Sequence, residues 1–295
     1  MVFIILFLIL LLVFLIIRFV SFRLFFEKPF LSIFYSLKDF YSYIVQHGWN
    51  NLSTGQIIAY IGLFGQGKTL SAVHHVVRLY RRYDGLRVYD KFRKKWVTQR
   101  VHVISNVSLN IPYENFISLS QIVQAASRFH NYDIDNDTLT CIICLGDEFS
   151  VQMNSRNFKS NIDATFLNTL LTCRHYHISL IYTAQRFSHV DALLRQVTSY
   201  VYDCHKYWRF MTHSKFDAWN LENSSNPETV KPISRFGWFV RNSDYDQYDT
   251  LACVGSLARS CSEGDMLSES EILANQCNVN NSVNISFPKK IKLKK

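Results

Sequence analysis

The sequence predicts an α/β fold in which a mostly parallel central sheet is flanked by helices and preceded by one apolar N-terminal helix. Three observations predict it. A strand-like run, a glycine-rich loop and a helical pattern follow one another over residues 56–83. Two further apolar runs end in polar groups, LTCIICLGDE at 139–148 and ISLIYTAQ at 178–185, as strands buried on both faces do. Sixteen apolar residues run without interruption from Val2 to Ile17.

That apolar run makes about 24 Å of helix, and continuing through Arg18 to Phe22 reaches the ~30 Å of a hydrocarbon core if the Arg18 guanidinium snorkels to the headgroups. A cleaved signal peptide fits poorly, because no basic residue precedes the run and no small-x-small site follows it. Arg18, Arg23, Lys28 and Lys38 all follow it, so a retained anchor would leave the N-terminus outside and the rest of the chain in the cytoplasm. Residues 1–22 are therefore expected to be a transmembrane helix. Residues 23–50, rich in aromatics at helical spacing, read as a juxtamembrane helix or linker, with packing on the next domain the preferred role.

Composition narrows the partners. The 295 residues are 48% hydrophobic, ample for a packed core and unlike a disordered chain. A formal charge of +9, from 32 Lys and Arg against 23 Asp and Glu, points to a polyanion, either nucleic acid or an anionic lipid surface. Seven cysteines without regular spacing point to a reducing compartment rather than a disulfide framework. Cys141 and Cys144 lie in the apolar run CIICL and read as buried small hydrophobes. His74-His75 and His175-x-His177 have no acidic or cysteine partner at ligand spacing and read as packed or surface residues.

The chemistry begins at Gly62-Leu63-Phe64-Gly65-Gln66-Gly67-Lys68-Thr69, which satisfies G-x-x-x-x-G-K-[ST]. Gly62, Gly65 and Gly67 let backbone N–H groups close around phosphates, with Gln66 and Leu70 completing the loop. Lys68 reaches the outer phosphates and the Thr69 hydroxyl takes Mg²⁺. QIIAYIG before the loop and TLSAVHHVVRLYRRY after it supply the strand and helix that a P-loop needs. The cofactors implied are ATP and Mg²⁺.

Hydrolysis needs acids, and Asp147 and Glu148 close the 139–148 strand: Asp147 to hold the Mg²⁺ shell, Glu148 to polarise the attacking water. Gly146 stands where an aliphatic residue is usual. Gln185, ending the 178–185 strand, would stand beside the Asp147 strand and sense the outer phosphate. The sequence distance from Lys68 to Asp147 and the Glu in second place favour the RecA-like, ATP-hydrolysing branch of P-loop NTPases over kinases and GTPases. Arg195, on the helical stretch RFSHVDALLRQ, and Arg174 are candidates to reach a neighbouring subunit's phosphates.

The order GLFGQGKT, SNVSLNIPY, IICLGDE and LLTCRHYHISLIYTAQRFSHVDALLRQVTSYVYDC, over about residues 55–210, resembles the ATPase domain of zonula-occludens-toxin-like proteins, the assembly ATPases of filamentous phages. These are similar in turn to FtsK and HerA type DNA pumps. The resemblance implies a homo-oligomeric ring at a host bacterial inner membrane. It also implies that Lys68, Thr69, Asp147, Glu148 and Gln185 form the hydrolytic site. Its partners would be DNA, single-stranded and read without sequence, and phage coat or assembly proteins. The group usually carries its membrane helix after the ATPase domain, whereas here it comes first, which leaves packaging open beside extrusion. A non-catalytic nucleotide-binding scaffold and a toxin-like membrane protein stay as alternatives.

The remaining segments carry charge more than chemistry. Eight basic residues crowd into 81–100, and KFRKKW has the look of a hairpin tip that either tracks nucleic-acid phosphates or faces lipid. The ATPase domain is expected over 51–210. Residues 211–295, with one clear strand, GWFVR, and the polybasic end FPKKIKLKK, are left without a chemistry.

Overall fold

The computed structural model describes residues 27–116, 119–148, 173 and 176–249, with positions 7, 11, 14, 18, 24 and 25 before them. Most of the apolar run at 1–22, Arg174, His175, most of the helical pattern ATFLNTLLTCRHYH and the polybasic end lie outside the described residues. Among the described residues no helix is long and apolar enough to cross a membrane.

The first element, α1 (Pro29–Val45), starts with its proline at a position that needs no amide donor. It buries none of its residues, so the expectation that this segment packs on the next domain is corrected: only its C-terminal end is docked, through a short turn at Gly48–Asn50. The chain then enters β1 (Ile57–Ile61), passes through the glycine loop and forms α2 (Lys68–Tyr83). A hairpin of β2 (Arg87–Asp90) and β3 (Lys95–Ser105) follows, then two short strands, β4 (Ser108–Leu109) and β5 (Glu114–Asn115), and α3 (Leu119–Asp135). β6 (Thr138–Gly146) and β7 (Ile178–Ala184) are the two buried runs. After α4 (Ala192–Val197), capped by Asp191 accepting from the Leu193 amide, come β8 (Tyr200–Tyr207) and β9 (Phe210–Asp217). The described part closes with α5 (Ala218–Asn223), β10 (Ser234–Phe239), α6 (Asn242–Tyr245) and β11 (Tyr248–Asp249).

Among the described residues nine strands form one sheet in the order β10-β9-β8-β1-β7-β6-β3-β2, with β5 beside β3. Its centre, from β8 to β3, is parallel, and its two edges are antiparallel. Period-two alternation explains why the central runs are continuously apolar. Ile57, Ala59, Ile142 and Cys144 face a core shared with α3, while Ile58, Tyr60, Ile143 and Leu145 face one shared with α2. Each fully buried isoleucine contributes about 2 kcal/mol of transfer free energy. Cys141 and Cys144 are buried on this strand as expected, and burial pushes the Cys141 thiol up to about 12.

The boundary expected at residue 210 is corrected. It falls inside a β-hairpin, with Tyr207 opposite Phe210, and the sheet continues through β9 and β10 to Phe239. Local pattern hid this, because β9, FMTHSKFD, and the edge strand β10, SRFGWF, have mixed rather than apolar faces.

Candidate nucleotide site

The loop Gly62–Gly67 leaves β1 at its C-terminal end, where parallel sheets bind ligands. Gly62, Gly65 and Gly67 have φ of 148°, 77° and 74°, backbone that side-chain-bearing residues rarely adopt. A Cβ on Gly62 would also stand 2.9 Å from the Cys204 carbonyl oxygen, and one on Gly67 2.8 Å from Met211 Cε. Gly67 caps α2 without any side-chain hydrogen bond, and no acid stands in the first turn, so the helix presents its amide donors and positive dipole end to an anion.

Lys68 is 9% exposed, and its Nζ donates to the Leu63 carbonyl at 3.1 Å, folded across the loop. Gln66 turns the other way: its Oε1 accepts from the Lys206 amide on β8 at 3.0 Å. Leu70 is buried against Met211 and Val240, so only its backbone is available to a ligand.

Asp147 follows the last residue of β6 and sits against Thr69. The Thr69 hydroxyl donates to Asp147 Oδ1 at 2.8 Å, and a second hydroxyl, Thr183 on β7, donates to the same oxygen at 2.6 Å. Thr183 Oγ1 also accepts from the Glu148 amide at 2.8 Å. Asn106, just beyond β3, clamps the Asp147 backbone from the other side, accepting from its amide at 2.8 Å and donating to its carbonyl at 2.9 Å. Glu148 is held at φ 49°, a left-handed conformation that costs a residue with a Cβ of order 1–3 kcal/mol. The turn that follows Gly146 thus sets the Asp147 carboxylate against Thr69 and leaves Glu148 at the same end of the sheet as the loop.

Gln185 follows the last residue of β7, which lies between β1 and β6. Its carbonyl accepts from the Gly62 amide at 3.4 Å, so the strand carrying it is tied directly to the start of the loop. Lys68, Thr69, Asp147, Glu148 and Gln185 are therefore all brought to one end of the sheet. Arg195 is not aimed outward. Its Nε pairs with Glu222 at 2.8 Å and its Nη1 donates to the Ser188 and Val190 carbonyls at 2.9 and 2.8 Å. The expectation of an arginine ready for a neighbouring subunit is corrected at this position, because three partners of its own chain already hold the guanidinium.

Sequence reasoning missed Thr183, Asn106 and the β8–β9 hairpin. Thr183 stands two residues before Gln185 on the same face of a strand ending at the phosphate edge, which was a usable signal. Asn106 opens the SNVSLNIPY segment. Nothing local marked Met211 or His213, whose Nε2 meets the Ser71 hydroxyl on α2 at 2.9 Å. The histidines at 74, 75 and 177 go to separate partners: His74 stacks on Trp238, His75 meets the Tyr60 hydroxyl and His177 the Thr54 hydroxyl.

The oxygens of Thr69 and Asp147 are the hard donors that Mg²⁺ takes, and their shared hydrogen bond shows both directed at one point, so the residues present fit that ion. A cleft of about 910 Å³ between Leu52, Phe92, Phe129 and His177 opens at the other end of β6 and β7, away from these groups.

No protein-family model matches the chain, and no curated protein matches it. Among solved structures it is similar to the N-terminal domain of zonular occludens toxin from Neisseria meningitidis (TM-score 0.39, 16% identity, 66% of this chain and 100% of that one). It is also similar to ATPases 2 and 3 of EssC from Geobacillus thermodenitrificans (0.39, 12%, 70% of this chain and 43% of that one). A third likeness is to the genome packaging NTPase B204 of Sulfolobus turreted icosahedral virus 2, in complex with ATP-gammaS (0.34, 15%, 65% and 96%). Such distant likenesses say nothing about this chain's chemistry, which rests on the residues above.

Proposed function

We propose that the chain is a membrane-anchored ATPase that couples ATP hydrolysis to movement of viral DNA during virion assembly, extrusion or packaging. The observation that supports it most is the convergence of the Thr69 and Thr183 hydroxyls on one oxygen of Asp147, with Glu148 in the turn just after it, its amide bonded to Thr183.

In this reading the loop amides and Lys68 bind the β- and γ-phosphates, Lys68 exchanging the Leu63 carbonyl for phosphate oxygen. Thr69 and Asp147 hold Mg²⁺, which supplies charge neutralisation across the phosphates when bound. Glu148 accepts a proton from the water that attacks the γ-phosphate, and Thr183 keeps the Glu148 backbone and the Asp147 carboxylate in one fixed relation. Gln185, tied through its backbone to Gly62, relays whether the outer phosphate is present. A scaffold that only bound nucleotide would have no use for a glutamate held in a strained turn beside the phosphate edge, so the hydrolytic reading is the stronger one.

The net charge of +9 supports a DNA cargo contacted through phosphates, and the apolar run at 1–22 supports an anchor. The test uses the full chain in lipid nanodiscs: ATP turnover is measured with and without single- and double-stranded DNA, together with displacement of a labelled strand. Turnover stimulated by DNA is expected; turnover indifferent to every DNA offered would remove the translocation reading and leave an ATPase of other purpose.

A further inference from the structure

The chemistry above occupies the end of the sheet where β1, β6 and β7 finish. Three observations stand at the opposite end, unused by it.

The chain enters the domain there. Rings of Tyr43 and Trp49, His47 and Trp49, His47 and Trp96, and Tyr89 and Trp96 lie 5.9, 4.9, 5.9 and 5.7 Å apart, a ladder that ties the end of α1 to the β2–β3 hairpin. A Cβ on Gly48 would stand 2.2 Å from the Tyr43 ring, so any other residue there would displace the first ring of the ladder. Buried Gln99 fixes the linker beyond it, accepting from the Leu52 amide at 3.0 Å and donating to the Asn50 carbonyl at 3.3 Å.

Next, α1 carries a broad apolar face opposite a narrower polar one at Ser32, Ser36 and Asp39, and among the described residues nothing covers the apolar face: Phe30, Phe34, Phe40 and Tyr41 are 87%, 64%, 61% and 71% exposed. An amphipathic helix with a bare aromatic face suits a membrane interface, and this one lies a short way after the apolar run at 2–17.

Last, the hairpin tip holds Phe92 at 91% exposure between the exposed Lys91 and Lys94. Arg93 and Lys95 are matched by Asp90 and Asp137, which leaves Lys91 and Lys94 as the tip's outward charges. Exposed Arg81 and Arg82, at the C-terminal end of α2, and Arg87, at the foot of β2, lie at this same end.

We propose that this end of the domain rests on an anionic lipid bilayer, with Phe92 inserted among the headgroups and Lys91 and Lys94 bound to lipid phosphates, while the nucleotide site faces away from the membrane. The inference rests on reading 1–22 as an anchor. Basic residues around an exposed aromatic also suit DNA, but DNA gives no occupant to the bare aromatic faces of α1, which join this hairpin through the ring ladder; a bilayer covers both.

The test places a nitroxide on Phe92→Cys in the full chain with Cys253, Cys261 and Cys277 changed to serine. The chain is reconstituted in phosphatidylcholine alone or with phosphatidylglycerol. With phosphatidylglycerol, access of a water-soluble nickel chelate to the label is expected to fall severalfold, and Lys91→Glu with Lys94→Glu restores it. On the unmodified chain, tryptic cleavage at Arg93 and Lys94 is expected to slow by a similar factor in the anionic bilayer. A label equally open to water in both bilayers overturns the proposal, as does shielding by added DNA without anionic lipid, which would assign the hairpin to nucleic acid. Flotation with neutral vesicles reads the anchor separately: a chain that does not float loses the anchor, whatever the label reports.

Discussion

Thr183 and Thr69 donate to the same oxygen of Asp147, one from the strand between the loop and the acid, the other from the first turn of the loop helix. Three elements distant in sequence thereby share one carboxylate. Thr183→Val, which keeps the shape and removes the hydroxyl, leaves the Glu148 amide and Asp147 each short of a partner. It is expected to cost about 1–3 kcal/mol of stability in thermal or denaturant unfolding. ATP turnover is expected to fall about tenfold or more through lost orientation rather than lost binding. Thr183→Ser, which retains the hydroxyl, should recover most of the rate.

The glycine at position 62 is required by space as well as by backbone angle. Gly62→Ala would push a methyl carbon against the Cys204 carbonyl, a backbone group of β8 that cannot swing aside. Loss of nucleotide affinity together with a lowered melting temperature is the expected outcome. Gly67→Ala meets only the flexible end of Met211, so pairing it with Met211→Ala should relieve the contact but not the strain at φ 74°. Calorimetric titration with a non-hydrolysable nucleotide separates the two effects.

Arg195 offers a test of subunit communication. Because its guanidinium is held by Glu222 and two carbonyls of its own chain, Arg195→Ala is expected to lower the melting temperature of the isolated chain, and Glu222→Gln to do so in part. Mixing Arg195→Ala with unaltered chain should reduce ATP turnover only in proportion to the unaltered fraction. A steeper, poisoning dependence would show that the side chain is released and acts across a subunit boundary.

Acid should weaken the fold through two histidines, His75 on the loop helix and His213 on β9 against it. Burial lowers His75 and His213 from 6.5 to about 4, so both stay neutral when folded while the unfolded chain takes up protons at the higher value. Their contribution is present above pH 6.5 and is lost as pH falls towards about 4, the unfolded state binding more protons throughout that window. His213→Gln should flatten the pH dependence of the unfolding midpoint there, measured by denaturant titration at several pH values.

Much of this arrangement was legible because its elements are strong local patterns. Ile57–Ile61, Cys141–Gly146 and Ile178–Ala184 are buried on both faces and so read as unbroken apolar runs, and the loop between β1 and α2 is fixed by residue types that few other structures need. Asp147 was placed at the end of its strand despite Gly146, which pairs with Tyr182 without disturbing the register. The extension through β9 and β10 was not legible: Met211 and Val240 meet Leu70 only through long-range pairing, and a strand as polar as FMTHSKFD carries no periodic signature strong enough to announce it. Nor could the spacing of aromatics in α1 say whether they were covered, since a helix packed on protein and one packed on lipid share the same pattern. Arg195 was misjudged for a similar reason, because its partner Glu222 lies beyond two intervening strands.

The most direct measurement is the comparison of nucleotide binding with nucleotide turnover in Glu148→Gln, using the full chain in nanodiscs. Glu148→Gln should bind ATP and Mg²⁺ as tightly as the unaltered chain while turning over about 10²–10³-fold more slowly, whereas Lys68→Ala should lose binding itself. Turnover in Glu148→Gln equal to that of the unaltered chain would contradict hydrolysis at this site.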